Sequence, residues 1–305
     1  MKNYIIRRCL TAIIVLLGVA TIVFFMVRLT GDPIRLMMSA DATEEQVQAM
    51  RVHLGYDRPL FEQYLKFMGQ LLRLDLGTSL RYKLPTLDLI LERMPLTVRL
   101  SCMSIAFAVL LALPVGILAA LKRGTVVDQG LMTFSLVGQA LPIFWVGILL
   151  VLLFSVHLRW LPTGGIGSVK HYILPCIVLA LRPCALFSRM LRSSLTDALE
   201  ADYVRTARAK GIPSKRVICY HALRNSLLPV ITVIGLEFGS MLGGAIVVET
   251  LFALPGLGQL LNFAIQNRDF PLVQAILIFI AATFTFINLL VDVLYAFLDP
   301  RIRYD

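Results

Sequence analysis

An all-α integral membrane protein with six transmembrane helices is predicted by three observations. The 305-residue chain is 58% hydrophobic and only 16% charged, with a mean hydropathy of +0.79, far more apolar than a soluble domain of this length needs for its core. Six windows are apolar enough to serve as spans, a helical crossing of the hydrocarbon core taking about 20 residues: Cys9 to Val27, Val98 to Leu121, Met132 to Val156, Tyr172 to Phe187, Leu227 to Val248 and Leu272 to Phe297. The Lys and Arg residues crowd into alternate loops, as the positive-inside rule produces. That rule accounts for the net charge of +10 and makes a nucleic-acid partner unnecessary.

The first window follows "MKNYIIRR", exceeds the usual apolar region of a secretory signal and lacks a convincing small-residue cleavage site, so it is expected to be an uncleaved span. Residues 1–29 then hold the N-terminus and first span, 30–97 an extracytoplasmic segment, and 98–305 a five-helix core with a basic loop at about 189–226. In the external segment Thr43 with Gln46 forms a capping box, Gly55 is placed to stop that helix, and Pro59 suits the first turn of a second helix. Its stripe Leu60, Tyr64, Phe67, Leu71 reads either as a cap lying on the membrane part or as a docking surface for an external partner. The fourth span is interrupted by Pro175, Arg182 and Pro183, which a membrane helix tolerates where its neighbours re-satisfy the backbone. Lys2, Arg7 and Arg8, then Lys122 and Arg123, then the basic insert between spans four and five fall on one side, expected to be the cytoplasm together with both termini.

Several chemistries lack their motifs. No GxxxxGK[ST] phosphate loop occurs, so nucleotide hydrolysis is not expected of this chain, and no HExxH occurs either. "PGLGQL" follows no predicted strand and reads as a turn. His53, His157, His171 and His221 are scattered, and four of the five cysteines (Cys9, Cys102, Cys176, Cys184) lie in apolar runs, so no catalytic group, metal site or disulfide framework is indicated.

In span five, Gly235, Gly239 and Gly243 recur every four residues, a ridge that lets another helix approach closely. Glu237 falls roughly opposite at 100° per residue. With Ser240 and Gly244 it is a candidate for the wall of a passage, since an intramembrane charge faces a cavity or a partner; a Glu hydrogen-bonded between helices is the alternative.

The insert "EADYVRTARAKGIPSKRVICYHALRNSLLP" carries Asp197, Glu200 and Asp202 early and Arg205, Arg208 and Lys210 late, which complements a helix dipole, and Gly211 is placed to end that helix. Ser214 is a candidate cap for a second helix, with Pro229 in the first turn of span five. Ala201, Ala207 and Ala209 keep part of the first helix shallow, so that another backbone can come near.

These residues resemble the inner-membrane permease subunits of ATP-binding-cassette importers, in the dipeptide, oligopeptide and nickel branch. In the frame of the general signature, Glu-Ala-Ala, three residues, Gly, nine residues, Ile-x-Leu-Pro, this chain reads Arg205-Thr206-Ala207, "RAK" (Arg208, Ala209, Lys210), Gly211, nine residues and His221-Ala222-Leu223-Arg224, so the Glu, first Ala and terminal Pro are replaced. The branch is similar to this chain in those replacements, "ARAKG" followed by "HALRNSLLP". The resemblance extends through "TGDP", "LGYDRPLFEQY", "LDLGTS", "FSVHLRWLPTGG", "VVETLFALPGLGQLL", "NRDFPLVQA" and "LDPRIRYD". It implies the type I importer permease fold, with Arg205 to Gly211, His221 and Leu223 in a coupling helix and loop that sit in a cleft of an ATPase subunit. The partners implied are a second homologous permease, two ATPases that bind ATP and Mg, and an extracytoplasmic solute-binding protein; this chain would bind no cofactor. The cargo implied is a peptide or a related solute such as glutathione, a nickel chelate or haem, moved across the bacterial inner membrane by alternating access. A secondary transporter or channel would also use six spans and an intramembrane Glu, but has no use for the insert and would show an inverted repeat.

Overall fold

The computed structural model describes residues 2–29, 34, 35, 38 and 42–298; "TGDP" and the tail after Leu298 lie outside them. Among the described residues the secondary structure is helical apart from one isolated bridge, Thr78 with Pro85. Five helical segments are long and apolar enough to cross a membrane, and a bent pair supplies a sixth. The chain packs as two compact units, Lys2–Leu96 with Pro255–Phe286, and Thr97–Leu254 with the residues from Ile287 onward.

The first unit contains α1 (Lys2–Leu29), α2 (Glu44–Leu54), α3 (Leu60–Leu72) and α11 (Leu257–Gln266). Thr43 and Gln46 make the expected reciprocal capping box, and Gly55 ends α2 at φ 75°. In α3, Tyr64 and Phe67 each place their rings 5.3 Å from Phe24 of α1, and the Tyr64 hydroxyl lies 2.9 Å from Thr21 Oγ1. The predicted stripe is thus narrower than expected, because Leu60 is 55% exposed. At the start of α12 (Phe270–Leu298), fully buried Asp269 accepts from Ser79 Oγ at 2.5 Å, Leu80 N and Arg81 N at 3.2 Å and Leu272 N at 3.3 Å.

The second unit takes α4 (Thr86–Leu121) from Thr97 onward and adds α5 (Val126–Ala140), α6 (Ile143–Leu150) with a π-helical continuation Val151–His157, α7 (Lys170–Glu200), α8 (Asp202–Ala209), α9 (Leu223–Gly244) and α10 (Ile246–Leu251). Three expectations change here. The third window is not one straight span, since α5 and α6 meet at 99°. Leu141 stands before Pro142 with ψ 137°, held out of the helical region by the proline ring, and Pro142 has no N–H to continue the ladder. The fourth span is a stretch of α7, which carries Pro175 and Pro183 and runs on to Glu200, so Asp197 and Glu200 belong to it and not to the next helix. Ser214 caps nothing through its side chain; Pro213 stands at the cap, and one turn (Ser214–Arg216) and a π-helical stretch (Val217–Ala222) lead without a turn into α9, leaving Pro229 inside that helix.

Candidate functional site

Two regions of the second unit hold the candidate residues. The first is the corner where α7 gives way to α8. Ala201 breaks the helix with ψ 149°, and Asp202 opens the eight-residue α8. Lys210 and Gly211 close it, Gly211 at φ 73°, a conformation that costs any residue with a Cβ. Val204 and Ala207 point inward from α8 and join Ala120 of α4, Leu195 of α7, and Val217 and Ala222 in one buried apolar cluster, with Ile212 and Leu223 packed against it. The shallow face therefore divides. Ala207, expected to meet a partner, is 6% exposed and meets its own chain, whereas Ala209 points outward with Arg205, Thr206, Arg208 and Lys210. His221 is half-buried within the π-helical stretch.

Polar contacts pin this corner to the rest of the unit. Arg123 Nη1 lies 2.5 Å from Glu200 Oε1, so the basic residues after α4 and the basic insert share one end of the unit. Asp128, 2% exposed in the first turn of α5, is gripped by Arg192 of α7 through Nε at 2.5 Å and Nη2 at 2.6 Å, and accepts from Gly124 N at 2.9 Å. Sequence reasoning had given Arg192 only to the positive-inside bias. The sole local signal for its partner is Thr125, which caps α5 three residues before Asp128 N.

The second region is α9. Gly235 faces α12, where a Cβ would stand 2.3 Å from Val291 Cγ2, and Gly239 is buried on the same side. Glu237 is half-buried and Ser240 is exposed, and Ser240 Oγ donates to the Glu237 main-chain oxygen at 3.0 Å, with the carboxylate Oε2 at 3.4 Å. Gly235, Glu237 and Gly243 are half-buried alike, with Gly239 buried and Ser240 exposed, so burial along α9 does not set Glu237 apart from the glycines. Beyond α9, Glu249 of α10 is fully buried and accepts from Thr97 Oγ1 at 2.6 Å. Gly165 N donates to Phe252 O at 2.8 Å, which brings "RWLPTGG" against "ETLFALPG". Sequence reasoning missed Glu249 and Asp269, although both sit inside motifs already singled out.

The described residues thus supply five membrane-length helices and a bent pair, and the sequence comparisons identify the class. Residues 112–304 match the model of the binding-protein-dependent transport system inner membrane component, and residues 1–101 match the N-terminal region of the same membrane component. The chain belongs to this family. It is 40% identical to the di/tripeptide transport system permease protein DppB of Pseudomonas aeruginosa (strain UCBPP-PA14), over 100% of this chain and 99% of that one. It is 42% identical to the glutathione transport system permease protein GsiC of Escherichia coli (strain K12), over the full length of both. A crystal structure of an amino acid ABC transporter with histidines shares the fold, with a TM-score of 0.52 at 17% identity over 70% of this chain and 94% of that one. The protein is accordingly a permease subunit of an ATP-driven importer of the inner membrane. It is not itself an enzyme, and its family works with ATPase and binding-protein partners.

Proposed function

We infer that the chain is one of two homologous permease subunits in an importer of short peptides or glutathione, completed by two ATPase subunits that bind ATP and Mg and by an extracytoplasmic solute-binding protein. Full-length similarity to DppB and GsiC supports the cargo class. Both termini lie in the cytoplasm in this reading, together with the α8 corner. The shared end of Arg123 and Glu200 supports that orientation. Exposed Cys219, kept as the sole cysteine, would be labelled by an impermeant thiol reagent in inside-out vesicles and not in spheroplasts; the reverse pattern rejects the orientation.

The observation that carries the coupling role is the split of α8 into a face fixed on its own chain (Val204, Ala207) and a face left open (Arg205, Thr206, Ala209). A helix held this rigidly transmits movement of an ATPase cleft to α7 and α9 as a rigid body. ATP binding then has to favour one access state by only a few kcal/mol to reverse the populations. Arg208, Lys210 and Gly211 flank the contact and close the helix; Ala207, Leu223 and His221 support it from behind. Ala209→Asp tests this. Membrane abundance stays at the wild-type level while binding-protein-stimulated ATP hydrolysis and transport are lost. Wild-type coupling in this variant would show that the open face touches nothing.

A further inference from the structure

The described carboxylates of the second unit differ in how they are met. Asp128 has a guanidinium and a backbone N–H, and Glu249 has the Thr97 hydroxyl in a fully buried setting. Glu237 is half-buried beside exposed Ser240 of α9, and among the described residues its carboxylate is approached by the Ser240 hydroxyl, whose better-placed acceptor is the main-chain oxygen. Among the described residues no Lys, Arg or His nitrogen lies within ion-pairing distance of it. A carboxylate accepts at about four lone-pair sites, so most of its capacity is unused.

Its surroundings narrow what can use it. The helix lies in a segment apolar enough to span a membrane, Ser214–Gly243, where an ionised carboxylate against lipid is costly and needs water and a cation. On another side of α9, Gly235 lies close against Val291. One turn further on, Ser240 is small and exposed, which leaves room beside the carboxylate. Di- and tripeptides and glutathione all carry one free α-ammonium group, whatever their side chains. An ammonium donates up to three charge-assisted hydrogen bonds to such an acceptor.

We propose that Glu237, backed by exposed Ser240, receives the α-ammonium group of the solute as it passes α9. This rests on the reading of the chain as a peptide importer permease and gives that passage a chemical preference. A carboxylate at this point attracts a free amino terminus and is indifferent to the side chains that follow, which suits a conduit that must accept varied peptides.

The test uses the complete importer with its five native cysteines replaced and Ser240→Cys introduced. The thiol is treated with cationic and anionic thiosulfonates of similar size, with and without trapped ATP. The expected result is modification in at least one nucleotide state, about tenfold faster with the cationic reagent, and loss of that preference on adding Glu237→Gln. In proteoliposomes carrying the same binding protein, Glu237→Gln also lowers the import ratio of a free dipeptide to its N-acetylated form. No reaction in either state means that lipid or the second permease covers the face, and overturns the proposal. So does a charge preference that survives Glu237→Gln, which would point to a cation or field supplied by another group. A reagent preference with an unchanged import ratio overturns the ammonium assignment alone. If the importer carries a different amine-bearing solute, the reagent preference persists while peptide import fails, which separates an error in the cargo reading from an error at Glu237.

Discussion

The α8 corner and the middle of α9 both bury small residues, yet the buried sides are closed by different parts of the chain. In α9 the small residues were taken to mark a seam, and Gly235 does lie against Val291. In α8 the alanines were taken to mark a seat for another protein, and Ala207 instead lies in a cluster of its own chain. A small residue reports that a backbone comes close without reporting whose. What remains after the chain's own contacts are assigned is exposed Ala209 with its neighbours at the corner and exposed Ser240 beside half-buried Glu237 on α9.

Three substitutions break or sharpen this comparison. Ala207→Asp puts an unpaired charge into a closed apolar cluster, an error that costs about 3–5 kcal/mol. The expected outcome is low membrane abundance and a lowered thermal midpoint, unlike Ala209→Asp two residues away. A wild-type midpoint for Ala207→Asp would return Ala207 to the partner surface. Gly235→Leu drives a side chain into Val291 and should cost about 3 kcal/mol through overpacking. Adding Val291→Ala should recover part of that loss in the same melting assay, and no recovery would mean that the ridge meets something other than α12. Asp128→Ala removes both acceptors of Arg192, whose side chain is 32% exposed, so solvent limits the loss to about 1–2 kcal/mol. Exchanging the charges, Asp128→Arg with Arg192→Asp, should restore part of the midpoint, whereas an exchange no better than the single change would deny the pair a specific role.

What was legible in the sequence was whatever has a local period or a local cap. The apolar windows, the Thr43–Gln46 box and the stops at Gly55 and Gly211 all follow from residues within one or two turns of each other. The bend at Pro142 was missed because hydropathy runs smoothly through Met132 to Val156, and one proline inside a membrane helix is often tolerated. The extension of α7 to Glu200 was missed because the loss of apolar residues after Phe187 looks like the end of a span, although the helix continues through polar residues. The pairs Thr97 with Glu249 and Ser79 with Asp269 join residues 152 and 190 positions apart, and nothing local in either segment names its partner.

The second of those pairs bears on the order in which the protein can be made. Ser79, Leu80 and Arg81 obtain their acceptor from Asp269, and the unit that contains them draws its other part from Pro255–Phe286. A ribosome delivers these two parts far apart in time, with the whole middle of the chain synthesised between them. Through that interval the turn at residues 79–81 must wait with its donors on water, since a chain domain completes itself only when its parts are present. A nascent chain arrested before Asp269 would therefore be cut by protease near Ser79, and one extended past α12 would resist. The residue just before α12 thus closes a turn made 190 positions earlier in the chain.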